Sequence, residues 1–241
     1  MPPSAALDRA RSMWAGLAGT GDTFPANGEV RVVASADSAL APDGWVGIVA
    51  LGGGALATVP RPALVAPVRA ALSNRDRGPV LDLDRVLAAL PVADVLGPAT
   101  LAYVDRSEFT GADRDGVAVE RLAGGPEQLA ALLAGADEAE VDESGLAGLT
   151  SDAFVIRDGA HPVAAAGWRS WPGGIAHLLV LTAPYHRGRG LGRQVASAAT
   201  AAALDVGLAP QWRARPAASR RIARSLGFRE YGGQLSVRPV G

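Results

Sequence analysis

Ile175-Ala176-His177-Leu178-Leu179-Val180-Leu181, then Pro184-Tyr185-His186, then Arg187-Gly188-Arg189-Gly190-Leu191-Gly192 is the stretch that decides how the second half of this chain folds. The first run is apolar and short, as a buried strand would be. The last is rich in glycine and arginine. Beyond it, Gly192 to Val206 holds no proline and is dominated by alanine and other helix formers, until Gly207 supplies a C-terminal stop. Strand, glycine turn and helix in that order aim several backbone N–H groups at one anion, and the helix dipole adds to the pull.

Absences narrow the chemistry. The chain has 241 residues and no cysteine, so a thiolate nucleophile, a disulfide framework and a cysteine zinc site are all excluded. All 23 basic residues are arginine, which removes Schiff-base chemistry and a Walker-type phosphate lysine. The three histidines, His161, His177 and His186, lack metal-site spacing, so no metal is expected. The chain is 49% hydrophobic and 20% charged, enough to bury a sizeable core. A net charge of −1 argues against a nucleic-acid partner. No apolar run approaches the ~18 residues that span a bilayer, and the first residues show no basic-then-apolar leader, so the expectation is a cytoplasmic protein with no membrane partner.

Charge is distributed in blocks. Nine arginines fall between Arg187 and Arg229 against one acid, Asp205. Between Leu122 and Ile156 stand seven acids and no base. Each charge taken alone reads as a solvated helix face. The opposed blocks suit an anionic cofactor and a cationic co-substrate.

Outward from the glycine turn, the second half has a regular rhythm. Val117–Arg121 reads as a strand, and Pro126–Ala134 and Glu138–Leu146 as two helices. Ala153–Arg157, Val163–Trp168 and Ile175–Leu181 read as three strands, the first two joined at Asp158-Gly159 and the last two at Pro172-Gly173-Gly174. The helix 192–206 follows, then a strand at Trp212–Ala214, a helix opened by Pro216 and stopped at Gly227, and a last strand at Leu235–Val237. The first half reads as a helix over 4–18, strands at Val30–Ala34, Trp45–Leu51 and Ala55–Val59, and helices at Pro62–Leu72 and Leu83–Leu90. A strand is expected at Leu101–Val104. The polar stretch Thr110–Gly116 is the expected boundary.

Two nucleotide motifs fail on spacing. A dinucleotide fingerprint needs Gly-x-Gly-x-x-Gly and an acid about 20 residues on, whereas the glycines here are 188, 190 and 192 and the next strand is Gln211-Trp212-Arg213. A Walker loop needs a lysine. What fits is Arg-x-x-Gly-x-Gly, met by Arg187, Gly190 and Gly192 after Pro184-Tyr185-His186. With Ala218-Ser219-Arg220-Arg221 and Leu226-Gly227-Phe228, this segment resembles the GNAT superfamily of acyl-CoA-dependent N-acyltransferases. The β-αα-βββ-α-β-α-β order is also that superfamily's.

The resemblance implies a GNAT acyltransferase domain over 113–241, with a mixed, mostly antiparallel α/β (α+β) sheet flanked by helices. It leaves 1–112 as an additional N-terminal α/β domain of unknown role, either of its own kind or a degenerate copy of the same fold. It implies acetyl-CoA as donor, a small-molecule primary amine as acceptor, and direct attack in a ternary complex. It leaves room for a homodimer. Backbone groups of Val180, Leu181 and Thr182 would meet the pantetheine arm. The amides of Gly188, Arg189, Gly190, Leu191 and Gly192 would hold the pyrophosphate, assisted by the Arg187, Arg189 and Arg193 side chains, and Ser219 would approach the cofactor. The N–H near Leu181 would serve the oxyanion.

The catalytic acid is where the chain departs from the pattern. The family's frequent tyrosine, four residues before the glycine of Leu226-Gly227-Phe228, is Ala223 here. Ser219, Ser225 and Tyr231 are the hydroxyls nearby in sequence. The asparagine often found early in this helix is missing too. For the base there are two candidates. His177 is either a base on the central strand or a core histidine satisfied by its neighbours. Glu143 is either a base or amine attractor, or a solvated helix carboxylate. Trp168 and Trp171 are both expected on the acceptor side. An alternative function, motivated by Ala223, is a non-catalytic acyl-CoA-binding sensor or interaction module on the same fold.

Overall fold

The structure is a computed structural model describing residues 4–73, 81–112, 117–124 and 126–240. Ser4 starts helix α1 (Ala5–Leu17), its hydroxyl accepting the Leu7 N–H at 3.2 Å. Ala6, Ala10, Met13 and Trp14 recur at helical spacing and are the buried stripe of α1. The chain continues through β1 (Val30–Ala34), β2 (Val46–Leu51), β3 (Gly54–Val59), α2 (Val65–Leu72), α3 (Leu83–Ala89) and β4 (Val92–Tyr103). The second half holds β5 (Glu120–Leu122), α4 (Ala130–Ala134), α5 (Glu138–Ser144), β6 (Ala153–Asp158), β7 (His161–Trp171) and β8 (Ile175–Thr182). It ends with α6 (Leu191–Asp205), β9 (Ala209–Ala214), α7 (Ala217–Ser225) and β10 (Arg229–Pro239). The fold is mixed α/β, a largely antiparallel sheet flanked by helices, as the sequence implies.

By its contacts the chain divides into two units. One comprises Met1–Ala102, Arg213–Ala217 and Glu230–Gly241; the other comprises Tyr103–Trp212 and Ala218–Arg229. In the first, the strand order is β1-β3-β2-β10-β4. β1 runs parallel to β3, while β2 is antiparallel to both β3 and β10. β2 and β3 are buried almost without a break, which is why they read as continuous apolar runs rather than alternating ones. Val46, Ile48, Val59, Val68, Leu72, Val86, Leu235 and Val237 make that unit's core.

In the second unit the strands follow chain order, β5-β6-β7-β8-β9, antiparallel until β8 meets β9 in parallel. α6 packs against β7 and β8 through Val195, Ala196, Ala199 and Ala203, all fully buried. Their small side chains let the helix lie close to the strands. α4, α5 and the turn after them cover a core of Leu129, Leu132, Leu146, Leu149, Leu179 and Leu181.

Some expected bounds move. β4 has twelve residues where the sequence shows a strand only from Leu101, because Gly97-Pro98 interrupts its pattern. β5 starts later than Val117 and is three residues long. His161, read as a turn residue, opens β7. The boundary expected over Thr110–Gly116 falls partly on 113–116, outside the described residues. No helix among the described residues is long and apolar enough to cross a membrane.

Candidate active site

The parallel pairing of β8 with β9 covers only Ile175↔Ala209, Ala176↔Pro210 and His177↔Gln211. On its other edge β8 stays paired with β7 all the way to Thr182. From Leu178 onward, therefore, β8 keeps one neighbour and opens on the side of β9. An extended chain leaves its alternate N–H and C=O groups unsatisfied along such an edge, ready for a polar ligand laid beside it.

The two faces of β8 differ. Val180 and Thr182 point at α6, where a Cβ added to Gly192 would stand 2.9 Å from Thr182 Oγ1, 3.6 Å from Ile222 Cδ1 and 3.9 Å from Val180 Cγ1. Glycine at 192 lets the strand, α6 and α7 meet at one point. Leu179 and Leu181 face the α4/α5 core instead. Strand alternation puts His177 on their side.

Beyond Thr182 the chain turns through Pro184–His186 and reaches Gly190, which precedes α6 with φ 80° and no side-chain cap. Gly188 is also left-handed, at φ 74°. Gly188, Arg189 and Gly190 are exposed immediately before a fifteen-residue helix whose first residues, Leu191 and Gly192, are buried. Tyr185, on the same turn, is 97% exposed.

The arginines of the turn are already engaged. Arg187 donates from Nε to the Thr182 carbonyl at 3.2 Å and pairs through Nη1 with Glu140 Oε1 on α5 at 2.6 Å. That hydrogen bond holds the Glu140 carboxyl below its usual value and raises the Arg187 guanidinium. Arg189 Nη1 meets His186 Nδ1 at 3.0 Å, and Arg193 Nη2 donates to the Ser225 carbonyl at 3.4 Å. Leu191 is buried at the start of α6. Ser219 Oγ accepts the Trp212 indole N–H at 2.9 Å, tying the first turn of α7 to β9.

His177 is 8% exposed and sits at the last β8–β9 pair, where the two strands part. Its Nδ1 lies 3.3 Å from Gln211 Nε2, and Gln211 Oε1 accepts the Tyr103 hydroxyl at 2.7 Å. The Trp171 ring packs beside the imidazole, centroids 5.0 Å apart at 40°. Glu143 is exposed on α5, the helix whose terminal Gly145 abuts Leu179. The two tryptophans expected together are separated. Trp168 is in register with Leu178 and stacks on Phe154 at 6.5 Å on the α6 face, while Trp171 stays with His177. Positions 168 and 171 differ by an odd number, so one strand cannot show both on one face.

The GNAT acetyltransferase family model matches residues 153–232, from β6 into β10. The GNAT match thus lies within the C-terminal half, over residues 153–232. A GCN5-related N-acetyltransferase from Kribbella flavida is 25% identical at a TM-score of 0.50, aligned over 66% of this chain and 64% of its own. A GNAT-family structure from Novosphingobium aromaticivorans is 23% identical at a TM-score of 0.45, over 61% and 65%. A tandem GNAT protein from the clavulanic acid biosynthesis pathway is 13% identical at a TM-score of 0.48, over 98% and 96%. The alignment thus takes in just under two thirds of the length of the first two structures. No curated protein matches.

Within the matched segment, Ala223 is 2% exposed, packed where α7 turns into the Leu226-Gly227-Phe228 ending. Leu226 and Phe228 are buried, and the backbone of Gly227 lies against the Glu108 carbonyl with no room for a Cβ. Gln211 and Tyr103 were not singled out by sequence reasoning. Gln211 reads as an ordinary strand residue and Tyr103 as an apolar one, and they meet only because the fold joins residues 108 apart. Among the described residues no group of His, Asp and Glu side chains gathers as a metal site.

Proposed function

We propose that the protein is an acyl-CoA-dependent N-acetyltransferase, moving an acetyl group from acetyl-CoA to a primary amine by direct attack in a ternary complex. The observation that carries this reading is the open edge of β8 beyond His177, leading straight into a left-handed glycine turn at the uncapped start of α6. An extended amide-bearing arm suits the first feature and a pyrophosphate suits the second. Val180 and Thr182 turn their backbone groups to the open edge and take the arm, while Leu181 stays bonded to Ala165 on β7, in step with the Ala183 N–H that donates to the Val163 carbonyl. Amides from Gly188 to Gly192 take the phosphates, with charge from Arg189 and Arg193 and from Arg187 once it leaves Glu140. Ser219, bonded to Trp212, keeps the first turn of α7 beside them.

The amine nitrogen bonds to the thioester carbon as the carbon–sulfur bond breaks; the electron pair leaves with the thiolate, and the proton the nitrogen sheds on becoming an amide ends on that sulfur. A backbone N–H on the open edge beside Leu181, that of Val180 or Thr182, is the donor for the carbonyl oxygen. The ammonium proton passes to a group on the α4/α5 side, where His177 and Glu143 stand. With no cysteine in the chain, a covalent thioester on the protein has no nucleophile.

A second reading, a sensor that binds acyl-CoA without turnover, is favoured by Ala223 in the tyrosine position. One pair of measurements separates them. Acetyl-CoA is titrated by calorimetry, and free thiol is then followed across a panel of amines. Saturable binding with amine-dependent thiol release supports the enzyme. Binding with thiol release at background supports the sensor, and no binding at millimolar acetyl-CoA overturns both.

A further inference from the structure

The buried row Tyr103–Gln211–His177 has a chemical direction. Gln211 and Tyr103 are fully buried, and His177 nearly so, at the point where β8 and β9 separate. The Tyr103 hydroxyl donates to the Gln211 oxygen at 2.7 Å. That turns the amide nitrogen toward the imidazole, 3.3 Å from Nδ1. An amide nitrogen only donates, so Nδ1 must be the acceptor, and the ring proton of neutral imidazole is then on Nε2. A doubly protonated ring would set Nδ1–H against an N–H of the amide. It would also add a second positive charge beside Arg169, the register partner of His177 on β7. Trp171 packs beside the ring and limits its turning.

The geometry points to Gln211 and Tyr103 as positioning residues that hold the proton of His177 on Nε2, so that His177 serves acyl transfer as a hydrogen-bond donor and not as the base. A base needs an open lone pair. The one on Nδ1 is taken by Gln211, and Nε2 already bears hydrogen. The ammonium proton then goes to the other candidate, Glu143 on the exposed face of α5. An N–H is also the kind of group the reaction needs at its oxygen or its departing sulfur, in a domain whose position 223 offers no phenol. The inference rests on the acyltransferase reading above.

The test uses the full chain labelled with 15N. Long-range nitrogen–proton spectra report which imidazole nitrogen bears the proton, without turnover. Three histidines make assignment simple, with His177→Asn removing one set of signals. The expected spectrum has hydrogen on Nε2 of His177. Gln211→Glu puts a carboxylate against Nδ1 and moves the proton there; Gln211→Met, of similar volume, removes the constraint if the charged variant does not fold. Tyr103→Phe frees the amide to reverse and gives a mixture. In turnover, His177→Gln keeps an N–H where Nε2 was and retains kcat within about tenfold, while His177→Leu loses about a hundredfold, as removal of one donor does.

An Nδ1–H ring in a protein that binds and turns over acetyl-CoA overturns the inference alone. So does a His177→Gln variant that folds and is as inactive as His177→Leu. An Nε2–H ring in a protein that binds no acetyl-CoA overturns the acyltransferase reading, and the catalytic role of His177 with it.

Discussion

Glu140 and Arg187 hold each other at 2.6 Å across the space between α5 and the glycine turn, with side chains 31% and 46% exposed. The pair keeps Arg187 folded against Thr182, and in the proposed cofactor site a phosphate must compete with a carboxylate to win it. Glu140→Gln removes the competitor and is expected to tighten acetyl-CoA binding several-fold in calorimetry, whereas Arg187→Ala weakens it. The pair also gives stability a pH dependence of known sign. The hydrogen bond from Arg187 lowers the folded-state carboxyl value of Glu140 below its ordinary 4.5. A lowered carboxyl stabilises the fold at pH above the unfolded value, and that contribution is lost as pH falls through the folded one. Thermal melts of wild type and Glu140→Gln should therefore differ at neutral pH and converge in acid. The difference should also shrink in high salt, since the pair is partly solvated. A gap that stays constant from neutral pH into strong acid would contradict this account.

At the scale of elements, the site is a strand edge, a turn and a helix end, and each asks something different of the sequence. Gly190 needs φ 80°, a conformation that costs a β-branched residue about 1–3 kcal/mol. Gly190→Val is expected to lower the melting temperature modestly and to abolish measurable acetyl-CoA binding, because it also tilts the first amides of α6. Unchanged affinity would remove the turn from the phosphate site. This turn was legible in the sequence because glycine spacing and flanking periodicity are local signals. The β6–β7–β8 hairpins and α6 were legible for the same reason. β4 was not, because Gly97-Pro98 breaks its pattern while its neighbours in space, which stabilise it, are distant in the chain. The roles of the arginines were only half legible. Composition puts them in the right segment, but that Arg187 faces Glu140 depends on where α5 lies, which no spacing rule encodes. Gln211 and Tyr103 lie beyond any local signal, since burial and partnership alone distinguish them.

At the scale of the whole molecule, the chain's last strand serves the unit built mainly from its first residues. β10 stands between β2 and β4, in register with β2 from Gly232↔Leu51 to Val237↔Val46. Leu235 and Val237 are fully buried in the core that also holds Val46 and Ile48. A fragment ending at residue 102 would lose this strand, leave one edge of β2 without partners, and expose apolar side chains worth about 1.5–3 kcal/mol each when buried. Such losses are large against the total stability of a domain. The expected outcome is that fragment 1–102 alone shows no cooperative thermal transition and binds a dye that reports exposed apolar surface. Adding a synthetic peptide of residues 229–240 should restore a transition whose midpoint rises with peptide concentration, as mass action requires. Leu235→Asp in the peptide should prevent the rescue, since it puts a charge where a fully buried leucine belongs. Cooperative unfolding of fragment 1–102 without the peptide would mean that β10 is an addition to a sheet already complete, and that the terminal strand is dispensable to the unit it joins.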